Sequence, residues 1–155
     1  MRISCSLLLI VLLLIGCGPH KMYEEQKQVP TDWPSDQGIK FSFIVDDTTH
    51  AYNIIAEVGH EESFGYQNLY TRIVTDFPDG NKTESIVSLD VRKKSGASQG
   101  NCSGTVCTVP FLIQKSIYFK QLGEYGITLF QHSRKDTIQG ILNANLIVQR
   151  AEENK

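Results

Sequence analysis

The chain has 155 residues, 15 Lys and Arg against 17 Asp and Glu, and four cysteines. A formal net charge of −2 with no basic stripe excludes a nucleic-acid binder of the usual electrostatic kind. The length fits one domain with a real core.

The first seventeen residues read as an export and anchoring segment. Arg2 is followed by an apolar run from Leu7 to Ile15 and then by Gly16-Cys17. A positive residue, a short apolar core and a small residue before the processing point are the layout of a secretory signal. The run is shorter than the roughly 20 apolar residues that a membrane-spanning helix requires. Leu14-Ile15-Gly16-Cys17 resembles a bacterial lipobox. This assigns residues 1–16 to a lipoprotein signal peptide and makes Cys17 the lipidated residue, with diacylglyceryl on its thiol and an N-acyl chain. No other cofactor is expected. Removing 16 residues leaves 139, with 14 Lys and Arg against 17 Asp and Glu.

Residues 17–37 are polar, carry Pro19, Pro30 and Pro34, and show no sustained period. They are read as a lipidated tether. Trp33, the single tryptophan, is either an exposed binding aromatic or packing on the domain edge. From Ile39 the period becomes two: Ile39, Phe41, Phe43 and Val45 alternate with Lys40, Ser42 and Ile44, as in a half-buried strand. Asp46-Asp47-Thr48-Thr49-His50 is turn chemistry. Tyr52, Ile54, Ala56 and Val58 form a second alternating face, and 59–65 a charged loop. Leu69, Thr71, Ile73 and Phe77 mark a third strand, Pro78-Asp79-Gly80-Asn81 a turn, and Val87, Leu89 and Val91 a fourth strand. After a Gly/Ser-rich loop, further strands run through Val109–Ile113, Tyr125–Gln131 and Leu142–Val148. Residues 151–155 form a polar tail. No convincing amphipathic helix is present. The pattern predicts an all-β domain over 38–150: an antiparallel β-sandwich, immunoglobulin-like or jelly-roll-like, of about 7–8 strands.

With Cys5 in the signal and Cys17 in the lipobox, Cys102 and Cys107 remain. An oxidising envelope and their close spacing predict a local disulfide. A metal site would need more ligands than this stretch offers.

Catalytic motifs are missing. His20, His50, His60 and His132 do not stand at metal-ligand spacing, and no G-x-S-x-G elbow occurs. Asp46 and Asp47 are adjacent, so on a strand end they point to opposite faces. No catalytic or metal-binding residue is assigned, and the chain is read as non-enzymatic.

An ordered set of small motifs accompanies the lipobox. It comprises the Tyr23 and Trp33 segment, Phe41-Ser42-Phe43 with Asp47-Thr48, Tyr52-Asn53-Ile54, Tyr66-Gln67-Asn68-Leu69-Tyr70, Phe77-Pro78-Asp79-Gly80, Gly123-Glu124-Tyr125, Gln131-His132-Ser133-Arg134 and Gly140-Ile141. In this order the chain resembles the gliding-motility lipoprotein family GldH of Bacteroidetes over nearly its whole length. Where that resemblance leads one to expect Gly-x-Trp-x-Gly, the chain has Gly96-Ala97-Ser98-Gln99-Gly100. The resemblance implies a non-enzymatic, membrane-anchored accessory of the gliding machinery and of the linked type IX secretion system. Its partners would be the membrane and other envelope proteins. Gly18 in place of aspartate favours the outer membrane, and the non-acidic stretch after it a periplasmic face.

The alternative is a carbohydrate-binding or adhesion lipoprotein. It requires exposed aromatics, which Tyr66, Tyr70 and Phe64 would supply. Asn68, Gln131 and Arg134 are polar residues of the motifs and serve either structural support or partner contact. Gln131 is in phase with Tyr125, Ile127 and Leu129, so it points inward and its amide must be bonded. Arg134 is expected to pair with Asp136 or a more distant carboxylate.

Overall fold

A computed structural model describes residues 20–152. The signal segment and Cys17 lie outside the described residues. In chain order the strands are β1 (Lys21–Gln28), β2 (Trp33–Pro34), β3 (Ile39–Val45), β4 (Tyr52–Glu61), β5 (Asn68–Asp76), β6 (Lys82–Asp90), β7 (Asn101–Ser103), β8 (Val106–Ile117), β9 (Gly123–Gln131), β10 (Thr137–Ile138) and β11 (Ile141–Arg150). They form one sheet in the order β1-β11-β4-β8-β7, a second in the order β3-β9-β5-β6, and a two-residue ribbon β10-β2. Every pairing is antiparallel. The fold is an all-β sandwich.

Alternating residues supply the core. Phe41, Phe43 and Val45 of β3, Tyr52, Ile54 and Val58 of β4, and Tyr125, Ile127 and Leu129 of β9 are all buried. Fully burying one such side chain contributes about 1.5–3 kcal/mol. Phe119 links the sheets, with its ring centroid 4.9 Å from that of Tyr125 and 5.4 Å from that of Tyr52. The turn after β5 closes as its residues dictate: Asp79 Oδ1 accepts from the Asn81 amide at 2.9 Å, and Gly80 takes φ +85°.

The structure corrects the tether reading. Lys21–Gln28 is a strand that pairs with β11 from Lys21↔Gln149 to Gln28↔Asn143. Its inward positions are Tyr23, Glu25 and Lys27, polar-headed residues whose stems cover the core edge. The Tyr23 ring lies 5.4 Å from Phe43, and Lys27 Nζ lies 5.3 Å from the Phe41 ring. The expected count of 7–8 strands rises to 11 because β1 and three short strands, β2, β7 and β10, escaped the period-two pattern. The charged loop after Val58 is also shorter than expected, since β4 runs on through Gly59, His60 and Glu61.

Candidate functional site

Gln131 ends β9 with its side chain turned into the protein, 1% exposed. Its Nε2 donates to the carbonyls of Asp136 at 3.1 Å, Lys135 at 3.3 Å and Trp33 at 3.4 Å. Its Oε1 accepts from the Ser133 amide at 2.9 Å and from Ser133 Oγ at 2.8 Å. One amide thus binds the chain at 133–136 to itself and to β2. A carbonyl oxygen and an NH2 on the same group are what this task needs, because the loop offers both donors and acceptors.

Trp33 is buried beside it, 2% exposed, with Nε1 donating to the Gln37 carbonyl at 2.7 Å. Of the two readings of Trp33, the structure has the packed one, and it is not an exposed binding aromatic. It pairs with Ile138 in the β10-β2 ribbon, which folds the indole into the sandwich.

The loop that Gln131 holds forms one wall of a cleft of about 610 Å³. The other wall is the start of β5 and the segment before it. Phe64, Tyr66, Asn68, Tyr70, Arg134 and Lys135 line it. Phe64, 3% exposed, is its floor, while Tyr66 and Tyr70 are 42% and 50% exposed. The Phe64 and Tyr66 rings lie 5.4 Å apart. Lys135 Nζ sits 5.6 Å from the Tyr66 ring centroid, and its contact with the Tyr66 side chain raises the ammonium pKa. The His132 amide donates to the Tyr70 carbonyl at 2.8 Å and closes the two walls at one end.

Of the polar residues singled out in the sequence, Asn68 and Arg134 reach this cleft, and Gln131 supports it from beneath. Asn68 donates to Ser88 Oγ at 3.0 Å and to the Asp90 carboxylate, across to β6. Arg134 is exposed, and among the described residues no ion pair includes it. The expected pairing with Asp136 is therefore absent there. Its guanidinium faces solvent beside two half-exposed tyrosines, an arrangement suited to acidic, carbonyl or aromatic groups of a partner. His132 of the same motif also lines the cleft, as does Lys135, which falls outside the quoted motifs.

Two further clusters lie elsewhere. Asp47 Oδ1 accepts from Thr49 Oγ1 at 2.6 Å and from the Thr49 amide at 2.7 Å. Its Oδ2 takes Arg150 Nη2 at 3.2 Å and the His50 ring. The Thr49 bonds, with His50 after them, hold this carboxyl well below the usual carboxylate range. This is a turn clasp, and Asp46 takes no part among these bonds.

Cys102 and Cys107 are joined by a disulfide and stand directly opposite in the β7–β8 ladder. Cys107 pairs on its other side with His60, which is fully buried, with Nδ1 2.7 Å from the Glu61 carbonyl oxygen. Ser98, at the centre of the Gly96–Gly100 stretch, lies with Oγ 3.4 Å from His60 Nε2. Gly100 allows the loop to pass the Thr108 carbonyl, since a Cβ there would fall 1.9 Å from that oxygen. Among the described residues no group of three His, Cys, Asp or Glu side chains could hold a metal ion.

Fold and cleft together define a β-sandwich domain whose distinctive surface is a loop-built recess of tyrosines and cations. The sequence comparison places it further. The model of the GldH lipoprotein family matches residues 21–147, and the chain belongs to that family. It is 22% identical over 161 residues to the gliding motility lipoprotein GldH of Flavobacterium johnsoniae, covering 98% of this chain and 100% of that one. It is 20% identical over 149 residues to the gliding motility lipoprotein GldH homolog of Christiangramia forsetii, covering 92% and 91%. Among solved structures, one of infectious bursal disease virus, Gx strain, aligns at TM-score 0.33 with 18% identity. It covers 88% of this chain and 32% of that one, a likeness too slight to bear on fold or function.

Proposed function

We propose that this protein is a non-enzymatic accessory of the gliding-motility machinery and the linked type IX secretion system. Lipid on Cys17 anchors it in the outer membrane, and the domain faces the periplasm. The cleft above Gln131 receives an envelope-protein partner. One observation carries this: segments far apart in the chain, 64–70 and 131–138, meet at one recess that exposes Tyr66, Tyr70 and Arg134. Central aromatic and arginine anchors are the residues that dominate protein interfaces, at about 2 kcal/mol or more each.

The test is complementation of a deletion strain. Tyr66→Asp and Arg134→Glu should abolish motility or secretion while the protein stays abundant and membrane-bound. Cys17→Ala should end incorporation of labelled palmitate. Substituting His50, which lies outside the cleft, with alanine should leave the phenotype nearly intact. If that variant is abundant, folded and inactive, the non-enzymatic reading fails.

A second reading, carbohydrate binding, draws on the same two tyrosines, because sugars stack on exposed rings. Titrating the protein with envelope polysaccharide separates the two. Binding lost in Tyr66→Ala and Tyr70→Ala would favour the glycan, and crosslinking from Arg134 to an envelope protein would favour the partner.

A further inference from the structure

An exposed strand edge is a template for another strand, and proteins usually guard such edges. Three of the edges here are guarded. β1 has a register shift between Lys21 and Tyr23 and carries Lys21, Glu24, Glu25 and Lys27. The β3 edge is approached by β1, whose Lys27 Nζ donates to the Lys40 carbonyl at 2.6 Å. β7 is three residues long, and β8 beyond it contains Pro110 and is irregular against β4 at two points. β6 differs. It pairs with β5 over all nine residues with no shift, has no proline, and among the described residues hydrogen-bonds no other strand.

The free backbone groups of β6 can be identified. The Tyr70 carbonyl accepts from His132, so Tyr70 and every second residue of β5 turn their backbone groups toward β9. The intervening residues, from Leu69 to Thr75, then bond to their partners Leu89, Val87, Ser85 and Thr83. The Val91 amide, donating to the Gln67 carbonyl at 3.0 Å, has the same phase. Lys82, Glu84, Ile86, Ser88 and Asp90 are therefore left with their backbone groups facing outward at the edge. Their side chains share the outer face, and Ile86 is 54% exposed.

This edge is complementary to itself. We propose that two copies of this chain pair through β6, antiparallel, with the two-fold axis at Ile86. In that register Ile86 meets Ile86, Glu84 meets Ser88, and Lys82 meets Asp90 at both ends. All of these are residues with outward backbone groups, so the ladder forms without rearrangement. A slip of one residue in each copy toward the Asp90 end sets Glu84 against Asp90. The opposite slip sets Lys82 against Ser88 and Glu84 against Ile86. Charge therefore selects the central register. Lys82 already contacts Asp76 at 2.8 Å, and Asp90 already accepts from Asn68. An ammonium has three donors and a carboxylate about four acceptor sites, so both retain capacity. The two four-stranded sheets become one, and the Tyr70 side chains of both copies lie on a single face. This pairing does not depend on what occupies the cleft.

The experiment uses the full-length lipidated protein extracted in detergent, with the parent chain as control. Paired residues that exchange both hydrogen bonds have Cα atoms about 5.5 Å apart, within disulfide range. Ile86→Cys should therefore give a covalent dimer under mild oxidation. Lys82→Cys should not, because its two copies lie roughly 27 Å apart along the ladder. Lys82→Glu or Asp90→Lys alone should weaken dimerisation about tenfold in sedimentation, and the double swap should restore it. All four are exposed-side-chain substitutions, and circular dichroism checks that each variant is folded. A monomer at all concentrations, equal crosslinking at 82 and 86, or failure of the double swap to restore association would overturn the proposal. So would Ile86→Cys in native membranes joining only to a different protein, since the edge would then serve a foreign strand.

Discussion

Two loops at the margins of this sandwich are held in opposite ways. The turn between β7 and β8 is closed by the covalent bond between Cys102 and Cys107, five residues apart. The 132–136 loop is closed by one buried amide that satisfies five partners. The disulfide acts on a short loop, so it removes little freedom from the unfolded chain. The amide acts through the folded state: without it, the Ser133 amide loses its acceptor and three carbonyls each lose one bond, although Asp136 keeps the Ser35 amide and Lys135 keeps Ser133 Oγ. The covalent clasp is thus the weaker contributor to stability, and the non-covalent one positions the functional surface.

The largest expected effect tests the amide. Gln131→Leu should lower unfolding free energy by about 1–3 kcal/mol in denaturant titration, because the Ser133 amide loses its acceptor and the carbonyls of Trp33, Lys135 and Asp136 each lose the bond Gln131 makes to them. Gln131→Glu sharpens this. A carboxylate there would keep one oxygen on the Ser133 donors but set the other, buried, against three carbonyls in place of the NH2, and that repulsion with burial raises the folded-state pKa of the new group. Such a variant is most stable below the ordinary glutamate pKa of about 4.3 and loses stability as pH rises above it. A flat pH profile would show that the loop yields without resistance.

The disulfide should matter less. Replacing Cys102 and Cys107 together by alanine should cost less than the ~3 kcal/mol associated with a 15-residue loop, read from the same titration. If this double variant is less stable than Gln131→Leu, the ranking of the two clasps is reversed.

The Asp47 clasp should respond to acid. Its folded pKa is depressed by the Thr49 bonds and then by His50, so its contribution is complete above the ordinary aspartate pKa of about 3.9. It is lost as pH falls through the lower folded value. Asp47→Asn should therefore flatten the acid limb of the stability curve and leave the Gln131 and disulfide variants ranked as before. The smallest effect is expected at Arg134→Ala and Tyr70→Ala, within about ±0.5 kcal/mol of the parent stability. A larger loss would mean that these residues support the fold and are not reserved for a partner.

Much of this architecture could be read from alternation. The longer strands β3, β4, β5, β8 and β9 each alternate buried or half-buried residues with more exposed ones over at least part of their length, and the inward phase of Gln131 follows from Tyr125, Ile127 and Leu129. β1 was hidden because its inward positions are Tyr23, Glu25 and Lys27, which bury stems and expose charges. The β10-β2 ribbon is two residues long on each side, too short for any period, and so the sequence alone left Trp33 open between packing and exposure. The cleft was half legible. Tyr66, Asn68, Tyr70 and Arg134 stood out individually, but their meeting depends on β5 lying beside β9, a pairing that local sequence does not encode.

The β1 strand also sets a height. Its first residue, Lys21, is already paired with Gln149. On the proposed anchor at Cys17, only residues 18–20 separate the lipid from the sheet. Four steps of fully extended chain span at most about 14 Å. The domain would then ride close against the lipid headgroups as a near-surface fixture, with little vertical reach. A partner would have to come to it at the bilayer, and lengthening the leash with a flexible insert should weaken that encounter without touching a single contact residue.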